Sequence, residues 1–151
     1  LYDIIMMETI QAFFSGMLPI IDDADTTLEQ KIEAFVASYI DMLGANPDMA
    51  AFIMSEVRTH PEAFAQKIGI LDQVRHSVFI RQFQQAMAEG KLAPVHPVHF
   101  MMNFAGLVAF PFIARPLITT VIGLEEKTFD ELLEERKALI PAWIKMMFRK
   151  R

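Results

Sequence analysis

Apolar side chains recur along the chain in steps of three and four almost from its first residue. Ile4, Ile5, Ile10, Phe13, Phe14, Met17 and Leu18 form such a stripe over residues 1–21, the period of an amphipathic helix. "DDADTT" breaks it. Thr26 with Glu29 and Thr27 with Gln30 each have capping-box spacing, in which a hydroxyl and a carboxyl or amide satisfy orphan backbone amides reciprocally. Ile32, Phe35, Val36, Tyr39, Ile40 and Leu43 then predict a second helix ended by Gly44. "NPD" predicts a restart, with Asn46 as N-cap, Pro47 at the first helical position and the helix running to about Thr59. Pro61 opens a short helix closing near Gly69, and residues 70–89 read as one longer helix. "GKLAPVHP" is a loop. Thr128 with Glu131 predicts another capping box, opening a last helix of about twenty residues. No strand alternation persists, so the predicted fold is all-α, a bundle of about six helices.

Residues 96–122, "HPVHFMMNFAGLVAFPFIARPLITTVI", depart from this amphipathic rule, for Arg115 is the one charged residue between Lys91 and Glu125. A membrane helix needs roughly twenty apolar residues. Val98 to Ala114 supplies seventeen uncharged ones, with His99, Asn103 and Pro111 among them. Pro111 frees the carbonyl of Leu107 and Pro116 that of Phe112, because proline has no N–H to return. Both sites need help from neighbours, so burial by protein is the expectation and no membrane is invoked. The final helix is also richer in apolar residues than one core stripe requires. Two adjacent helices with surplus apolar surface predict a homodimer, each chain giving a helix pair to a four-helix bundle. Ala105 and Ala109 would allow close approach there, with Phe112, Arg115, Arg136, Ile140, Trp143 and Met147 completing the expected interface. An ordinary large core is the competing reading.

Composition narrows the function. At 151 residues with 53% apolar content the chain supports one domain, assigned to 1–151. Zero cysteines exclude disulfides and thiolate metal sites, which fits a reducing, cytoplasmic location. A net charge of −5 argues against direct nucleic-acid binding. The basic tail of Lys145, Arg149, Lys150 and Arg151 reads as a complement to a helix C-terminus. The chain opens at Leu1, read as mid-helix and hence as the start of a fragment.

No catalytic constellation emerges. His96 and His99 lie one turn apart without a third ligand in sequence. Glu131, Glu134 and Glu135 form a face without the Glu-x-x-His pairs of a di-iron bundle. There is no phosphate loop or nucleophile elbow, so an enzyme, a metal and a cofactor are not expected. Arg115 is expected to pair with Glu131, Glu134 or Glu135 across the dimer, or to meet an anionic ligand. Tyr39 and Asn103 are polar tips among apolar residues. They read either as satisfied core groups or as orienting groups of a pocket walled by Phe14, Met17, Phe79, Phe83, Met101 and Phe104.

The stretches "LEQKIEAFVASYIDMLGANPDMAAFIMSEVRTHPE", "AEGKLAPVHPVHF" and "FDELLEERKALIPAWI" together resemble the C-terminal ligand-binding and dimerisation domain of TetR-type bacterial transcriptional repressors. Leu1-Tyr2 is similar to the end of the motif that leads into that family's connecting helix. The resemblance implies that residues 1–21 are that connecting helix. It also implies a missing N-terminal helix-turn-helix domain that carries DNA binding, and a small apolar or aromatic effector that controls it. A free-standing helical carrier, or a membrane-peripheral binder of hydrophobic molecules, is the alternative that composition leaves open.

Overall fold

The computed structural model describes residues 1–149, all-helical apart from loops and one isolated bridge between Leu92 and Arg149. The helices are α1 (Tyr2–Ile21), α2 (Leu28–Ala45), α3 (Met49–Thr59), α4 (Pro61–Ile68), α5 (Leu71–Arg75), α6 (Val78–Ala88), α7 (Pro97–Pro116) and α8 (Glu126–Met147), with a π-helical segment, Leu117–Val121, continuing α7. The basic tail at Lys150 and Arg151 lies outside the described residues.

Helix α2 is the axis of the bundle, packing against α1, α6, α7 and α8. Its stripe Ile32, Val36, Tyr39, Ile40 and Leu43 is buried, as the 3.6-residue period requires. The Thr27–Gln30 box forms: the Gln30 amide donates to Thr27 Oγ1 at 3.1 Å, and the Thr27 amide to Gln30 Oε1 at 2.9 Å. Thr26 does different work. Lys31 is only 1% exposed, and its ammonium donates to the Asp23 carbonyl at 2.6 Å, the Thr26 carbonyl at 2.8 Å and Thr26 Oγ1 at 2.6 Å. Gln82 of α6 donates to the same Thr26 carbonyl, while Asp22 Oδ1 accepts from the Val78 amide. The α1–α2 turn is thereby tied to the start of α6.

Several expected boundaries move. Residues 70–89 divide into α5 and α6 because Ser77, buried, caps the second piece through its hydroxyl. Gly44 lies inside α2, and Asn46 Nδ2 donates back to the Met42 carbonyl, closing α2 in place of opening α3. Helix α8 starts before Thr128, at Glu126, without a side-chain cap. After Pro116 the backbone re-registers to five-residue spacing, with the Ile122 amide donating to the Leu117 carbonyl at 3.1 Å; a proline that cannot bond back to Phe112 makes that adjustment cheap. The loop after Gly90 clamps the end of α8, where the Ala93 amide donates to the Phe148 carbonyl.

Helix α1 and the segment Pro97–Val121 are each long and apolar enough to cross a membrane by length and composition. The latter is mostly uncovered in the single chain.

Replacing Lys31 by Met keeps the stem and deletes the three bonds that hold the α1–α2 turn. Loss of about 2–3 kcal/mol in urea unfolding is expected, since bonds to a charged donor exceed neutral ones. A loss below about 0.5 kcal/mol would show the ammonium to be hydrated in solution.

Candidate functional site

The interior on one side of α2 is a chain of aromatic rings. Phe13 and Phe14 of α1 touch edge-to-face at 5.3 Å between centroids, and Phe13 lies 5.4 Å from Tyr39. Tyr39 stacks with Phe35 at 5.8 Å, and Phe35 meets Phe104 of α7 at 5.1 Å. Phe104 stacks on Phe100, which in turn contacts Phe79 and Phe83 of α6 and Phe148 beyond α8. Four elements thus converge through their largest side chains, in the offset and tilted geometries that ring quadrupoles favour.

Of the residues proposed from sequence as pocket walls, Phe14, Tyr39, Phe79, Phe83 and Phe104 enter this array. Met17 is buried on the α1 side. Met101 and Asn103 do not join it. Met101 is 60% exposed, and Asn103 lies outside with its amide 3.8 Å from the Met147 sulfur. The reason is angular: Phe100 and Phe104 are one turn apart and claim the inner face of α7, so residues 101 and 103 point away. Phe13, Phe35 and Phe100 were missed as site residues, although the spacing of Phe100 to Phe104 carried the signal.

Tyr39 is the polar group in this array. It is 9% exposed, and among the described residues its hydroxyl has no hydrogen-bond partner. Burial pushes its pKa from the usual 10.0 up to about 12. It is therefore a neutral phenol, able to donate one bond to whatever lies beside it. Its hydroxyl is not among the buried side-chain atoms left without a partner, so it keeps contact with solvent.

The outer faces of α7 and α8 form a second feature. Met101, Met102, Phe110, Ile113 and Leu117 of α7 and its extension are exposed beside Leu132, Leu139, Trp143, Met146 and Met147 of α8. Phe110 alone is 64% uncovered. Several residues expected on an intermolecular surface sit elsewhere. Phe112 and Ile140 are core residues, and Ala109 packs half-buried against that core, whereas Ala105, Trp143 and Met147 are exposed.

Both arginines find partners within the chain. Arg115 binds Glu126 through Nε at 2.8 Å and Asp130 through Nη2 at 2.9 Å, not Glu131, Glu134 or Glu135, and lies over the Phe129 ring. Burial lowers the Arg115 pKa, but the bonds and charges of Glu126 and Asp130 outweigh it and raise the net value. Arg136 donates from Nη2 to the Leu107 carbonyl at 2.7 Å, the oxygen that Pro111 leaves free. Its Nε is buried without a partner, its guanidinium lies 5.3 Å from the Trp143 ring centre, and burial lowers its pKa.

Among the described residues no three His, Asp or Glu side chains converge to hold a metal ion. Comparison with protein-family models, with curated proteins and with solved structures returned no match.

Alkaline titration tests the buried phenol. The folded chain keeps Tyr39 protonated at pH 11, whereas unfolding releases it to ionise near 10. Unfolded chains then bind fewer protons than folded ones, so stability falls as pH rises from about 10 to 12. Tyrosinate absorbance showing both tyrosines ionised at pH 11 in the folded chain would contradict the burial.

Proposed function

We propose that this chain is the effector-sensing and dimerisation domain of a TetR-type bacterial transcription regulator, acting in the cytoplasm. In this reading a helix-turn-helix domain preceding residue 1 binds DNA, and the chain itself is not an enzyme. The observation that carries the reading is the two-ended character of α1. Its C-terminal half sets Phe13 and Phe14 into the aromatic array, while Leu1, Tyr2, Ile4 and Ile5 at its other end stay exposed. A ligand that parts the rings would shift this helix and pass the displacement to whatever domain it carries. Half-sites on DNA lie about 34–36 Å apart, so a small rotation of each subunit is enough to break the fit. Linkage then requires DNA and an inducing ligand to oppose each other equally.

The ligand is apolar or aromatic and carries one hydrogen-bond acceptor for Tyr39. The array supplies no carboxylate or ammonium, so a neutral molecule is favoured. Native mass spectrometry of the purified chain is expected to retain such a ligand. Tyr39→Phe should weaken it by up to about tenfold, the worth of one buried hydrogen bond. Equal retention by both forms would remove Tyr39 from the site.

The exposed α7–α8 face is the proposed dimer contact, with Phe110 and Trp143 as anchors. Sedimentation should give twice the 17.2 kDa chain mass, and Phe110→Glu should return it to monomer. The hydropathy of 1.6 over Pro97–Val121 favours a second reading, in which the same face rests on lipid. A wild-type monomer that floats with liposomes, and loses that property in Phe110→Glu, would overturn the dimer and support the peripheral carrier.

A further inference from the structure

Neighbouring rings of the aromatic array lie between 4.9 and 6.4 Å apart, centroid to centroid, which is contact distance for aromatic pairs. A ligand enters such an array only where a ring gives way. The rings on α1, α2, α6 and α7 stand within helices, so each moves only with its helix or by a rotamer change against packed neighbours. Phe148 is placed differently. It follows the last residue of α8, with φ −102° and ψ 9°. Its side chain is nevertheless only 4% exposed and meets Phe100 at 5.3 Å. Phe100 in turn touches Phe79 and Phe83 of α6 and Phe104 of its own helix. Phe148 thus rests on the ring through which α6 and α7 meet.

The loop 90–96 runs across the end of α8 as a strap and holds Phe148 there. The Ala93 amide donates to the Phe148 carbonyl at 2.8 Å, and Leu92 pairs with Arg149 in the isolated antiparallel bridge. The strap is anchored to α6, where the Lys91 and Leu92 amides both donate to the Ala86 carbonyl, at 2.9 and 3.2 Å. Its Leu92 and Val95 side chains pack against the core. Opening the Ala93 bond and the bridge frees Phe148 while the helices keep their own hydrogen bonds. Openings of that kind lie at the low end of a protein's local stabilities, the end from which lids are drawn.

We propose that Phe148 is a built-in occupant of the Phe100 end of the array, a latch that a neutral aromatic ligand displaces. The ligand's ring takes the place of the Phe148 ring against Phe100, and the strap lets go of the end of α8. The surroundings of that place, Phe79, Phe83 and Phe100, supply ring faces and edges, which suit an uncharged aromatic guest. The latch rests on the array being the ligand site. It does not rest on the bond from Tyr39, which lies beyond Phe104 and Phe35 along the array.

Locking the latch tests it. The chain has no cysteine, so Leu92→Cys/Arg149→Cys introduces a single disulfide. Opposed residues of an antiparallel bridge lie about 4.5–5.5 Å apart between Cα atoms, within the span that a disulfide crosses. The probe is Prodan, a neutral naphthyl ketone whose emission shifts and brightens in apolar surroundings. The reduced variant should bind it as the wild-type chain does, and the oxidised variant at least about tenfold more weakly. In the wild-type chain the Ala93 amide should exchange hydrogen at least about tenfold faster than the Ile144 amide, because the strap opens while α8 stays intact. Equal affinity in the oxidised and reduced forms, equal protection of the two amides, or no Prodan binding to the wild-type chain would each overturn the latch. Tyr39→Phe separates the two readings. Affinity that falls in Tyr39→Phe but ignores the disulfide keeps the ligand site at Tyr39 and removes the latch. Affinity that follows the disulfide but ignores Tyr39→Phe keeps the latch and removes Tyr39 from the site. Should the double variant fail to fold, the amide comparison in the wild-type chain decides.

Discussion

The carbonyl of Leu107 is the atom on which the arrangement of α7 and α8 turns. Pro111 removes the amide that would have bonded it, and a buried carbonyl without a donor costs about 1–3 kcal/mol. Arg136 answers it from α8 at 2.7 Å. That single bond places a guanidinium between two helices, sets it against Trp143, and fixes how far α8 can slide along α7. At the other end of the same helix pair, Arg115 bonds forward to Glu126 and Asp130 and closes the turn through the π-helical segment. The two prolines thus interrupt α7 where the Arg136 side chain of α8 or the re-registered backbone after Pro116 makes good the loss.

Because α8 is pinned in this way, the apolar residues of the pair split between two surfaces. Val108, Phe112, Leu133 and Ile140 go to the core around α2, while Phe110, Ile113, Leu139 and Met146 stay outside. A chain with this exposed face is stabilised by covering it. Within the bundle the aromatic array and the buried Lys31 act on opposite ends of the α1–α2 unit. The rings join α1 to α2 and α7 by contact alone, whereas Lys31 and Gln82 hold the turn to α6 by directional bonds. The first set of contacts is non-directional and the second is directional.

The helical class, the α2 stripe and the Thr27–Gln30 cap were legible in the sequence, since each depends on residues within one or two turns of each other. The orphan carbonyl of Leu107 was legible too, because it follows from Pro111 alone. What could not be read was which donor would reach it, a residue 29 positions away. The break at Ser77 and the shifted start of α8 were missed for a similar reason: propensity marks a cap, but the competing long-range bonds decide whether it is used.

At the site the same division holds. The abundance of Phe and Met fixed that large apolar surfaces would meet, and helical spacing placed Phe100 and Phe104 on one face. Spacing could not show that Met101 and Asn103 stay outside the array, nor that Phe112 turns inward and Phe110 outward. Those outcomes depend on the rotation of α7 about its own axis. A helix apolar all round carries no polar stripe to set that rotation. Only packing against α2, and the bond from Arg136, chose it.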